Sequence, residues 1–171
     1  MTPADVVPTA RCPVTLFVRP GPGHPCDDFA LTTAAGTVLA VADGVTRDAY
    51  PEPGPSGAAL AAEALCRTFV SEVEARGRPC DGPAAWTVLD HANRAIGLLN
   101  RQAGLERSKI KFLEDDLYGA VGAGGWLCHH GHLHFACVGD AGVRVLDATG
   151  APRFRSEDWF AGLRAHLATM T

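Results

Sequence analysis

Apolar residues along this chain fall into two kinds of run, short alternating or continuous ones and two long ones with helical spacing. Phe29–Ala34 and Thr37–Ala42 read as two strands joined at Ala35-Gly36, and Val14–Val18 as a short strand before them. Ser56 can cap a helix running to about Arg76, on which Ala61, Leu65, Phe69 and Val73 share one face. A second helix is predicted from Pro83 to Ala103. Its stripe is Ala85, Leu89, Ala92, Ile96, Leu99 and Ala103, with proline in the first turn and Gly104 after the end. Strands return at Tyr118–His129 and His132–Val138, turning at His130-Gly131, and at Gly142–Leu146, followed by a turn at Asp147–Gly150. The tail from Asp158 to Met170 has helical character. Strands, then two long helices, then strands predict an α+β fold with antiparallel sheets rather than a doubly wound βαβ fold.

The first hairpin carries the most informative pair. A two-residue turn at Ala35-Gly36 sets Asp28 directly opposite Asp43. Directly opposed residues place their Cβ atoms roughly 5 Å apart, and like charges there repel. A divalent cation held between the carboxylates relieves that repulsion, since hard cations take oxygen ligands. Asp140 ends another apolar run, Phe135–Val138 then Gly139. An aspartate at a strand end has an ordinary reading as the start of a turn. Three such acids facing one sheet edge make a metal site the better reading.

Composition sets the frame. The 171 residues suit one domain with a real core, and 47% hydrophobic with 20% charged is ordinary for a soluble globular protein. A net charge of −4 without any basic run argues against nucleic acid or an anionic membrane as partner. No signal peptide or membrane span is visible, and six cysteines without a CxxC pair read as free thiols in a reducing cytoplasm.

The ordered set Cys26-Asp-Asp-Phe-Ala30, Val41-Ala-Asp-Gly-Val45, the small-residue helix start Ser56–Ala62 and Val138-Gly-Asp140 resembles the metal-dependent protein phosphatases of type 2C. The match covers residues 13–150 of a single 1–171 domain. The resemblance implies an antiparallel β-sandwich flanked by helices, in α-β-β-α layers. It implies a centre of two manganese or magnesium ions with ligands Asp28, Asp43 and the Gly44 carbonyl, and Asp140 at a further, weaker metal site. Asp43 would bridge the metals, and Asp27 would orient a metal-bound water. The implied activity is hydrolysis of serine/threonine phosphomonoesters on a phosphoprotein substrate without a covalent enzyme intermediate.

The chain departs from that family's pattern in several places. Val45-Thr46-Arg47 follows the Asp-Gly step, the nearest upstream arginine is Arg19, and Ala120-Val121 replaces the usual threonine pair. The family's two C-terminal metal-binding aspartates have no counterpart before Thr171, so the domain is expected to be C-terminally incomplete. A non-catalytic phosphatase-like module, or a fragment inactive alone, is therefore the alternative function.

His129, His130, His132 and His134 form a second cluster. The turn at 130–131 puts them on two strands, and no cysteine pair completes a tetrahedral set, so they read as structural or surface residues; a zinc-binding module is a third reading. The glycine-rich Gly119–Gly125 lacks a P-loop lysine and reads as a strand needing close packing. Ser56 reads as a helix cap and not as a nucleophile.

Overall fold

The computed structural model describes residues 18, 26–45, 55–105 and 117–157. Eight elements follow in chain order: β1 (Phe29–Thr32), β2 (Val38–Gly44), α1 (Gly57–Ala75), α2 (Pro83–Gln102), β3 (Ala120–Leu127), β4 (Leu133–Val138), β5 (Arg144–Leu146) and β6 (Pro152–Arg155). Strands β1-β2-β3-β4 form one antiparallel sheet in that order, and β5-β6 form a separate hairpin. The class is α+β, as the pattern predicts.

Both helices form where their stripes require. Ser56 caps α1, its Oγ accepting from the Ala59 N–H at 2.9 Å. Ala61, Leu65, Phe69 and Val73 are all buried, with Ala62, Cys66 and Val70 beside them. In α2 the stripe buries Ala85, Leu89, Ala92 and Ile96, while Ala103 is the exposed C-cap. The helix pair covers one face of the sheet, α1 over β1–β3 and α2 against α1 and β4.

Strand β2 alternates strictly. Val38, Ala40, Ala42 and Gly44 are buried under α1, whereas Leu39, Val41 and Asp43 lie on the opposite, exposed face. On β3, Gly122, Gly124 and Trp126 pair with Ala42, Ala40 and Val38 on the helix side. A Cβ on Gly124 would sit 2.5 Å from the Phe69 ring, so the glycine-rich strand is what lets that ring reach the sheet. Trp126 is fully buried, and its Nε1 donates to the Pro79 carbonyl at 2.7 Å, pinning the α1–α2 loop to the sheet.

Several boundaries differ from the sequence reading. The first hairpin loop is four residues long, 34–37, not two. Thr33 N–H donates to the Val38 carbonyl at 3.0 Å, and Thr33 Oγ1 accepts from the Thr37 and Val38 amides. The loop grows by one residue on each side, so the register is unchanged. Strand β6 has no counterpart in the prediction: all four of its residues are exposed, leaving no alternation to read. The strand expected at Val14–Val18, apart from the non-strand Val18, and the helix expected from Asp158 lie outside the described residues, as do Arg19 and Arg47. Among the described residues no helix is long and apolar enough to cross a membrane.

Candidate metal centre

The register that runs Phe29↔Ala42 through Thr32↔Leu39 puts Asp28 across from Asp43 one step beyond β1. Side chains alternate along a strand, so the adjacent acids Asp27 and Asp28 separate. Asp27 is buried on the helix side, where its Oδ1 accepts from the Ser56 hydroxyl at the start of α1. Asp28 lines the cleft on the other face.

Asp140 arrives from the far strand. Asp43 pairs with Val121 on β3, and β4 follows β3 antiparallel to its end at Val138. Gly139 then turns with φ +77°, and a Cβ there would overlap the Val121 side chain. Only glycine adopts that turn against Val121 without strain. The turn brings Asp140 to the same end of the sheet. Asp28, Asp43 and Asp140 share an open cleft of about 390 Å³, whose walls include Val18, Val41 and Val121.

The electrostatics of the cleft follow from this crowding. Asp43 is an exposed residue, yet its carboxyl is held above the ordinary carboxylate value. Partial desolvation is the largest cause, followed by the charge of Asp28, a hydrogen bond with Asp28, and the charges of Asp140 and Asp27. A cation held in the cleft would neutralise the same crowded charge. The donors are all oxygen, which suits a hard divalent ion.

Gly44 lies on the helix side. Its N–H donates to the Asp27 carbonyl at 3.2 Å, and a Cβ would be 2.5 Å from the Ala58 carbonyl oxygen and 2.7 Å from that of Asp27. It is the close-approach point that lets α1 start beside the acids.

At the opposite end of the same sheet a second cluster assembles. His129, His130 and Gly131 turn β3 into β4, with Gly131 at φ +79° and the Cys128 N–H donating to the His132 carbonyl at 3.0 Å. The turn thus spans one more residue than the predicted His130-Gly131. It sets Cys128 across from His132 on the face that also carries His134. The expectation that no cysteine pair exists here is overturned, because the α1–α2 loop delivers Cys80 to the same place. Ligand atoms of Cys80, Cys128 and His130, and again of Cys128, His132 and His134, lie within 4.8 Å of one another. Cys80 Sγ lies 3.5 Å from His129 Nδ1. The Cys128 thiol is pushed down, chiefly by its hydrogen bond with Cys80, and the Cys80 thiol is pushed up by the same bond. Cys66, by contrast, is pushed up to about 12 by burial and is inert.

No family model, no curated protein and no solved structure matches this chain.

Proposed function

We propose that this protein is a metal-dependent phosphomonoesterase of the type 2C phosphatase lineage, acting on phosphoserine or phosphothreonine in a protein substrate. The observation that carries the reading is the opposition of Asp28 and Asp43 across the β1–β2 register, with Asp140 turned into the same cleft.

The oxygen donors fit manganese or magnesium. Asp28, Asp43 and Asp140 would hold the ion, with the Gly44 carbonyl as a further donor, and a second ion would share Asp43. A bound cation supplies Lewis acidity and offsets the charge of a phosphoryl group. The chain's own residues do the rest. Asp43, whose carboxyl is held above the ordinary value, would receive the ion in its ionised form. Asp27, tied to Ser56, fixes the segment that carries Asp28. Val41 and Val121 form apolar walls beside the carboxylates. The Phe135–Phe154 ring contact at 5.1 Å supports a second sheet layer beginning at β5-β6, as a sandwich requires.

A non-catalytic phosphatase-like module is the second reading. It is favoured by the lining of the cleft, which among the described residues offers three carboxylates and no arginine to grip phosphate.

Phosphate release from an aryl phosphate and from phosphothreonine peptides tests the first reading. The expected result is hydrolysis that depends on manganese and drops at least ~100-fold in Asp43→Asn, the order of magnitude for losing a charge-stabilising group. Manganese binding without turnover on any phosphoester would favour the second reading.

A further inference from the structure

The cysteine–histidine cluster at the far end of the sheet is separate from the acid cleft. Val121 stands beside Asp43, and Cys128 lies seven residues further along β3, roughly 23 Å away. Its donors are thiol sulfur and imidazole nitrogen, with no carboxylate among them. We propose that Cys80, Cys128, His130 and His134 form a structural zinc site that fastens the α1–α2 loop to the β3–β4 hairpin.

Three observations carry it. First, three of the four donor atoms are already gathered, and the fourth lies beside Cys128. Tetrahedral zinc with bonds of about 2.0–2.3 Å holds its ligand atoms roughly 3.4–3.8 Å apart. Cys80, Cys128 and His130 lie within 4.8 Å of one another, and His134 lies within 4.8 Å of Cys128, so closing the set requires His134 to turn toward Cys80 and His130. Second, His134 Nε2 is buried and has no hydrogen-bond partner, while the ring stacks on Trp126 with centroids 5.4 Å apart. A buried nitrogen without a partner is costly, and a metal bond would satisfy it. Third, the backbone around the donors is fixed. Trp126 Nε1 holds Pro79, next to Cys80, and the 129–131 turn holds His130 beside Cys128.

The chemistry selects the metal. Two thiolates balance the charge of Zn²⁺, and soft sulfur with imidazole prefers zinc to manganese or magnesium. The two ends of one sheet would therefore sort metals by donor type. His132 belongs to one triad but is exposed and competes with His134 for the fourth position.

The test uses the full chain, expressed with zinc and purified under reducing conditions without chelator. Elemental analysis is expected to give one zinc per chain. Cobalt(II) reconstitution is expected to give thiolate charge-transfer bands and the intense visible bands of a tetrahedral ion. Cys80→Ala and His130→Ala should each lower zinc affinity about 100-fold or more, as for loss of one of four bonds. Because Cys128 is buried, these two residues nearer the surface carry the test, with circular dichroism reporting the fold. His134→Ala should weaken zinc while His132→Ala should not. Asp43→Asn should leave zinc unchanged, which keeps this outcome distinct from that of the acid cleft. Absence of zinc and of cobalt bands in the folded, reduced chain would overturn the proposal. So would unchanged affinity in Cys80→Ala, or a Cys80–Cys128 disulfide persisting under reducing conditions in place of metal.

Discussion

Ser56 links two parts of this fold through one hydroxyl. It accepts the Ala59 N–H to cap α1 and donates to the buried carboxylate of Asp27, one residue before the cleft acid Asp28. The start of the helix and the placement of the acids are therefore coupled. Ser56→Ala removes both bonds and is expected to destabilise by about 2 kcal/mol, the sum of a lost cap and a lost charge-assisted bond. Thermal unfolding should show a fall of roughly 4–8 °C for a chain of this size. Ser56→Thr, which keeps the hydroxyl, should recover most of it.

Asp43 sets a pH dependence. Its folded-state pKa lies above the ordinary 3.8, so the folded chain holds a proton that the unfolded chain releases. The resulting stability is present at and below that ordinary value and is lost as pH rises through the folded value. In metal-free buffer the wild type should lose stability relative to Asp43→Asn as pH rises from about 4 toward neutrality. Manganese should stabilise the wild type and stabilise the variant much less. Parallel thermal-melt curves with and without metal check both halves.

Two glycines beneath α1 should respond differently to alanine. At Gly124 the new methyl meets the Phe69 ring, a side chain that can be trimmed. Gly124→Ala should cost about 1–3 kcal/mol, and Phe69→Leu should offset part of that in a double-mutant cycle. At Gly44 the methyl meets the backbone of Ala58 and Asp27, which cannot be trimmed. Gly44→Ala should cost more, and its effect should extend to manganese affinity because α1 must lift away from Asp27. Urea unfolding of the three single variants and the double variant separates the cases.

Asn100 clamps α2 to the segment entering β3. Its Nδ2 donates to the Tyr118 carbonyl at 2.9 Å, and its Oδ1 accepts the Tyr118 N–H at 2.8 Å. Asn100→Ala should cost about 2 kcal/mol, two neutral hydrogen bonds at about 1 kcal/mol each. Amide exchange should then quicken at residues 118–121 before it quickens at the centre of β3.

Much of the fold is legible in the sequence where local chemistry and global packing agree. Ser56, Pro83 and the two apolar stripes mark both helices to within a residue, because caps and helical spacing are local signals. The Asp28–Asp43 register is legible even though the turn is longer than read, since the loop grows symmetrically about Ala35-Gly36. Strand β6 is not legible: all four residues of Pro152–Arg155 are exposed, so no alternation marks it, and it is held by pairing with β5 and by the Phe154–Phe135 contact. The Cys80–Cys128 approach is hidden for a different reason. The two residues are 48 apart in sequence, and only the folding back of α1 and α2 onto the sheet brings them together. The clues were a cysteine in the interhelical loop and another beside the histidine turn, but their meeting is a property of the topology.

The acids at the β1–β2 and β4 ends are proposed to form a site for a hard divalent cation. Calorimetric titration of manganese into the chain tests it most directly. To isolate the acid cleft, the titration is run in a Cys80→Ala, His130→Ala background that weakens the thiolate–imidazole cluster. Saturable binding is expected at neutral pH, weakening at least about tenfold in Asp43→Asn and in Asp28→Asn, since each removes one charged ligand. No saturable binding by the folded chain, or equal binding by wild type and Asp43→Asn, would contradict it.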